Sequence, residues 1–241
     1  MRLTRLALTD FRNYRSAVLE FPARVTLFVG GNAQGKSNLL EAIYLLGTFK
    51  SFKTQHNLDI IRWSADAAAV TGTVVDGGVE RRVEVLLDAQ GRRARINGKP
   101  VRSLQEFFGA CSVVLFAPED LGLVKGPPAF RRRFLDRAIF TGSPGYLPGL
   151  KAYLGAVQHK QALLRAAAAR GAGRGPGLAE EAGEAWDATL VRYGVEVIRA
   201  RARLVRELTP HLAAAYRRLA AGPGGGEAGL QYRPGAPVDP W

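Results

Sequence analysis

The run Gly30-Gly31-Asn32-Ala33-Gln34-Gly35-Lys36-Ser37 constrains this chain more than any other stretch, because it fits the pattern G-x-x-x-x-G-K-[ST]. Its flanks suit the motif. Val25-Thr26-Leu27-Phe28-Val29 reads as a buried strand entering the loop, and Asn38-Leu39-Leu40-Glu41-Ala42-Ile43-Tyr44-Leu45-Leu46 reads as a helix leaving it. Glycines at these positions let successive backbone N–H groups turn inward around a phosphate, and the following helix brings the positive end of its dipole to the same anion. Lys36 is then placed to reach the β- and γ-phosphates of a nucleoside triphosphate, and the Ser37 hydroxyl to ligate Mg²⁺. The expected nucleotide-binding set is therefore Gly30, Gly31, Asn32, Ala33, Gln34, Gly35, Lys36, Ser37 and Asn38.

Apolar residues make up 47% of the 241, enough for a proper core. No run of eighteen apolar residues occurs, and Met1-Arg2-Leu3-Thr4-Arg5 has neither the apolar stretch nor the cleavage site of a secretory signal, so a cytoplasmic protein without a membrane span is expected. The single cysteine, Cys111, rules out internal disulfides and cysteine metal clusters. Lying in the apolar run Cys111-Ser112-Val113-Val114-Leu115-Phe116, it reads as a buried, inert thiol. The formal net charge of +13 points to a polyanion such as nucleic acid or an anionic membrane surface. Residues 1–110 carry 16 basic and 10 acidic side chains, and 111–241 carry 18 and 11, so the excess forms no basic tail. With 27 Arg against 7 Lys, the composition suits bidentate phosphate contacts, and a coding bias that also raises Ala and Gly would give the same count.

Residues 3–9 and 16–21 alternate as short strands around Asp10-Phe11-Arg12-Asn13-Tyr14-Arg15. Gly47 marks a plausible end to the loop-borne helix, and residues 48–54 form a basic, aromatic connector whose lysines either touch a ligand or are simply solvated. Strand patterns over 67–75, 79–88 and 92–96, separated by Gly-containing turns, predict an antiparallel meander. Ser103-Leu104-Gln105-Glu106 is a capping box opening a short helix, and 111–116 reads as another buried strand. Beyond Pro118 the chain turns helical. Pro127-Pro128 precedes a helix over 129–140. Pro144 precedes a heptad-like seam of Leu147, Leu150, Leu154, Val157, Gln161, Leu164 and Ala168. Trp186, Leu190, Tyr193, Val197, Leu204, Leu208 and Leu212 mark one face of a second long helix, interrupted by Arg201, with a flexible tip at 170–177 between the two. Leu230-Gln231-Tyr232 is a possible strand. The expected domains are an α/β lobe over 1–118 and a helical lobe over 119–241.

Several stretches together resemble the RecF family of recombination-mediator ATPases, relatives of the Rad50 and SMC heads. They are Leu8-Thr9-Asp10-Phe11-Arg12-Asn13-Tyr14, the loop and helix from Gly31 to Tyr44, Ile96-Asn97-Gly98-Lys99, and Ala117-Pro118-Glu119-Asp120-Leu121 running to Arg131-Arg132-Arg133-Phe134-Leu135-Asp136. The resemblance implies an α/β P-loop ABC-type ATPase head, a mixed sheet plus an antiparallel β meander, with a helical second lobe containing a helical hairpin. It implies ATP and Mg²⁺ as cofactors, an ATP-dependent homodimer, binding to DNA gaps and single-strand/double-strand junctions, and work with RecO and RecR in loading recombinase during DNA repair, replication restart and the SOS response. Arg12 falls where related heads bring a basic residue toward the nucleotide, although an ordinary turn arginine fits there too. Glu119 falls where they have a metal-sensing hinge, and helix capping by Pro118-Glu119-Asp120 is the competing role.

One departure is large. Such ATPases carry, after the helical lobe, a Ser-x-Gly-Gln signature and a strand ending in Asp plus an acidic residue, and neither is found here. Val83-Glu84-Val85-Leu86-Leu87-Asp88 reads as a meander strand, because Glu84 lies inside the run and a hairpin turn follows. Catalytic residues are therefore expected beyond Trp241, in a longer protein of which this is an N-terminal portion. Two other readings remain open from residues alone. One is a P-loop phosphotransferase acting on a small molecule, which long paired helices in place of a lid disfavour. The other is an interaction module that binds nucleotide without hydrolysing it.

Overall fold

A computed structural model describes residues 1–143, 145–170, 178–220 and 226–235. The chain divides into two compact units, Met1–Asp120 and Leu121–Trp241.

The first unit is built on a six-stranded antiparallel sheet in the order β2-β1-β3-β4-β5-β6. Its strands are β1 (Arg2–Phe11), β2 (Tyr14–Glu20), β3 (Ala67–Asp76), β4 (Val79–Asp88), β5 (Gly91–Ile96) and β6 (Lys99–Pro100). Period-two alternation decides which face is covered. Leu6 and Leu8 of β1, Ala68, Val70 and Val74 of β3, and Val83, Val85 and Leu87 of β4 are all buried. Helix α1 (Lys36–Thr48) packs on this face through Leu39, Ala42, Leu45 and Leu46. Gly72 in β3 makes the approach possible, since a Cβ there would lie 2.5 Å from the Leu46 Cδ1. Helix α2 (Leu104–Ala110) opens as the capping box predicts: the Ser103 hydroxyl accepts from the Glu106 N–H at 3.2 Å. The return arm goes one residue further back, with the Glu106 carboxylate accepting from the Arg102 N–H.

Two expected strands are extended but unpaired. Residues 25–29 and 111–116 hydrogen-bond to no other strand among the described residues, and Val25, Leu27, Val29, Val114 and Phe116 are each more than 80% exposed. An apolar run forms a ladder only where a neighbouring strand offers its backbone in register, and neither run is paired in this way among the described residues. Gly47 stands in the last turn of α1, one residue before its end at Thr48, and a Cβ there would collide with the Val113 side chain, so the glycine also lets Val113 lie against the helix. Cys111 is buried, and desolvation pushes its thiol up to about 11.

The second unit is helical: α3 (Gly122–Lys125), α4 (Pro128–Gly142), α5 (Tyr146–Arg170) and α6 (Leu178–Leu219). Pro128 opens α4 at the first helical position. Helices α5 and α6 pack against each other, with His159 stacked on Trp186 at 4.4 Å. The heptad seam expected on α5 is only partly used. Leu150 and Ala156 are buried while Leu154 and Leu164 are exposed, because α5 turns Gly149 and Tyr153, one position off the seam, toward Tyr193 and Gly194 of α6. On α6 the expected face does turn inward, and Arg201 extends it rather than interrupting it. Its guanidinium grips Asp136 of α4 through Nε and Nη2 at 2.7 and 2.8 Å, with the Tyr146 hydroxyl donating to the same carboxylate. Asp136 thus pairs with Arg201 and not with a neighbour in 131–133; Arg131 instead donates to the carbonyls of Leu123 and Gly126. The tip at 171–177 and Pro144 lie outside the described residues, and Leu230-Gln231-Tyr232 is not a strand. Among the described residues no helix is long and apolar enough to cross a membrane.

Candidate nucleotide-binding site

The glycine-rich loop is shaped by two residues with left-handed backbones, Ala33 at φ 62° and Gly35 at φ 100°. Gly35 has a second constraint: a Cβ would sit 2.7 Å from both Asn13 Nδ2 and the Tyr14 hydroxyl. The β1–β2 turn therefore presses on the loop, and Asn13 fastens it by donating to the Gln34 carbonyl at 3.3 Å and accepting from Asn38 Nδ2 at 2.8 Å. That turn is itself held in a strained shape, with Asp10 at φ 46° and Arg12 at φ 53°. Two hydrogen bonds of 2.7 Å clamp it to the segment near residue 60, Arg12 N–H to the Ile60 carbonyl and Arg62 N–H to the Asp10 carbonyl.

The loop suits a triphosphate. Helix α1 starts at Lys36 with no side-chain cap and no acidic residue in its first turn, which leaves the N-terminal N–H groups and the dipole to an anion. Gly31 would meet only Gln34 Cγ at 3.8 Å if it bore a Cβ, and Gly30 nothing within 4 Å, so the mouth of the loop is open. The Lys36 ammonium lies across that mouth, donating to the carbonyls of Gly30 and Gly31 at 2.7 and 2.5 Å. Ser37 is exposed in the first turn of α1.

Arg12 is placed beside the loop but is committed to a carboxylate. Its Nε and Nη2 donate to Glu41 Oε2 and Oε1 at 2.9 and 2.6 Å, and Nη1 donates to the Asp59 carbonyl. Glu41 is wholly buried. It also accepts from the Ser51 hydroxyl at 2.5 Å and faces Lys53 Nζ at 3.7 Å. Lys53 in turn donates to Asn38 Oδ1 at 2.7 Å. The connector after α1 is thus more than a solvated link: Phe49 packs on Phe107, Phe52 packs on Tyr44, and Lys53 bridges back to the helix that carries the loop. Burial lowers the pKa of Arg92 of β5, while the charge of Glu41 opposes that shift.

Glu41 is the residue that sequence reasoning left without a role. The available signal was a carboxylate inside the otherwise apolar run from Leu39 to Leu46, which only a paired charge tolerates. The hinge candidate, Glu119, has its backbone in a 3-10 turn over Pro118–Leu121, and Asp120 caps this turn by accepting from the Ala117 N–H at 2.8 Å. Asp88 is also occupied locally, accepting from the N–H groups of Gln90 and Gly91 at 2.9 and 3.0 Å.

The family model described as RecF/RecN/SMC N terminal domain matches residues 2–109. The chain is 39% identical over 233 residues to the DNA replication and repair protein RecF of Geobacter sulfurreducens, covering 97% of this chain and 60% of that protein. It is 40% identical over 236 residues to the RecF of Beutenbergia cavernae, covering 97% and 59%. Among solved structures, the recombination mediator protein RecF in its RecF-ATPrS form superposes with a TM-score of 0.81 and in its RecF-ATP form with 0.77. Both share 29% identity and cover 91% of this chain and 58% of that one. The chain spans about 60% of the length of the curated relatives it matches. Sequence and fold together place this chain in the RecF family, as an α/β ABC-type ATPase head corresponding to the N-terminal portion of those proteins.

Proposed function

We propose that this chain is the nucleotide-gated, DNA-binding head of a recombinational-repair protein. The observation that carries the reading is the loop of residues 30–38, with an uncapped helix N-terminus and Lys36 stretched across an open mouth. ATP is held by the loop N–H groups and by Lys36, which moves from the Gly30 and Gly31 carbonyls to the phosphates. Ser37 supplies a ligand to Mg²⁺, which neutralises charge on the phosphates. Arg12, fixed by Glu41, keeps the β1–β2 turn against the loop, so that Asn13 and Asn38 follow any movement there.

On this reading ATP drives pairing of two heads, and the pair binds gapped or junction DNA and assists recombinase loading with RecO- and RecR-type partners. The charge of +13, spread over both halves of the chain, supports a nucleic-acid partner. The test is the affinity for gapped duplex DNA, by fluorescence anisotropy with and without ATP and Mg²⁺, on the protein carried to the length of its RecF relatives. ATP should tighten binding in the wild type and leave Lys36→Ala unchanged. Equal affinity in all four conditions would sink the proposal.

A further inference from the structure

Helix α6 carries its charge asymmetrically. Residues 188–219 hold seven arginines and two glutamates, with no lysine. Five of those arginines fall on one line. At about 100° per residue, Arg199, Arg203, Arg206 and Arg217 lie at about −20°, +20°, −40° and −20° from Arg192, a sector of about 60°. All five are exposed, whereas Val197, Arg201 and Val205, near 140°, 180° and 220° on the same wheel, are buried. The stripe therefore runs along the outer face of α6, directly opposite the face that packs inward. From Arg192 to Arg217 it covers about 37 Å of helix axis, close to one turn of a DNA duplex.

We infer that this stripe is a docking track for a nucleic-acid phosphate backbone. Only two acidic side chains of residues 188–219 stand near it. Glu196 and Glu207 stand only on one flank, at about 40° and 60°, and none of Arg192, Arg203, Arg206 and Arg217 forms an ion pair with another described residue. The Arg192 guanidinium rests on the Tyr193 ring at 5.2 Å, and Arg217 Nε donates to the Ala213 carbonyl, contacts that orient both side chains while leaving their charge outward. A solvated helix face usually mixes both signs in balance, whereas residues 188–219 hold seven arginines against two glutamates. A row of planar guanidinium forks, at successive spacings of 7, 4, 3 and 11 residues, suits phosphate oxygens, which are taken two at a time. Nothing on the stripe reads bases, so contact is expected to be independent of sequence.

The inference rests on the DNA-binding reading above and names the surface that performs it. The test compares the chain with Arg203→Gln/Arg206→Gln and with a control of equal charge change on the sheet, Arg93→Gln/Arg95→Gln, by anisotropy on a fluorescent duplex from 50 to 300 mM salt. The stripe variant should bind about tenfold or more weaker at low salt, and its log–log salt slope should shrink by about two phosphate contacts, while circular dichroism and the unfolding midpoint stay unchanged. The control should keep most of its affinity and its slope. Undiminished affinity in the stripe variant, or an equal loss in both variants, would overturn the track while leaving DNA binding in place. Wild-type protein carried to the length of its RecF relatives that fails to bind the duplex with ATP and Mg²⁺ present would overturn both readings.

Discussion

Glu41 stands in α1 among Leu39, Ala42, Tyr44 and Leu45, fully buried, and survives there because Arg12, Ser51 and Lys53 converge on its two oxygens. Removing one partner of such a pair leaves the other charge desolvated. Glu41→Gln should cost about 2–3 kcal/mol in denaturant unfolding, and Arg12→Leu a similar amount, while the double substitution Arg12→Leu/Glu41→Leu should cost clearly less than their sum. Additive losses would show that the pair is not coupled. A second residue-scale expectation concerns pH. Burial raises the Cys111 thiol from 9.0 to about 11, so the folded state favours the protonated form. The stability this gives is complete below about pH 9 and lost as pH climbs toward about 11. Native protein at pH 8 should therefore react slowly with a thiol reagent and rapidly once unfolded; labelling at the rate of a free thiol in the native state would contradict this. The P-loop residues were legible because the motif states its own chemistry. Glu41 was not, since a single carboxylate in an apolar run shows that a partner exists without saying which of 34 basic residues it is.

At the scale of elements, β3, β4 and β5 could be read almost to the residue, because alternation and the turns at Gly77-Gly78, Ala89-Gln90 and Asn97-Gly98 mark the strands and where each pairs back. Residues 25–29 and 111–116 could be read only as wanting burial. Hydrophobicity states a need, and the partner that meets it need not be nearby in sequence. The structure leaves Leu27 82% and Phe116 86% exposed, on backbone with unpaired hydrogen-bonding groups. The purified chain should accordingly self-associate with concentration and bind a hydrophobic dye, and Leu27→Lys/Phe116→Glu should suppress both without lowering the unfolding midpoint. Light scattering that stays monomeric for the wild type across the micromolar range would count against this account. On α5 the seam was misread for a related reason: leucine spacing shows a stripe without saying which neighbour meets it, and Gly149 and Tyr153 rather than Leu154 approach α6.

For the molecule as a whole, the division into an α/β unit and a helical unit follows from where strand patterning stops, and the family resemblance supplied the function that no packing argument reaches. The central claim is that residues 30–38 bind a nucleoside triphosphate through Lys36. Its most direct measurement is a titration of the chain and of Lys36→Ala with a fluorescent ATP analogue in the presence of Mg²⁺. Lys36→Ala removes a charge-assisted contact worth about 1.5–3 kcal/mol, so its affinity should fall about tenfold or more while its fold, followed by circular dichroism, is unchanged. Equal affinity for the two proteins, with both folded, would place the nucleotide elsewhere and contradict the account.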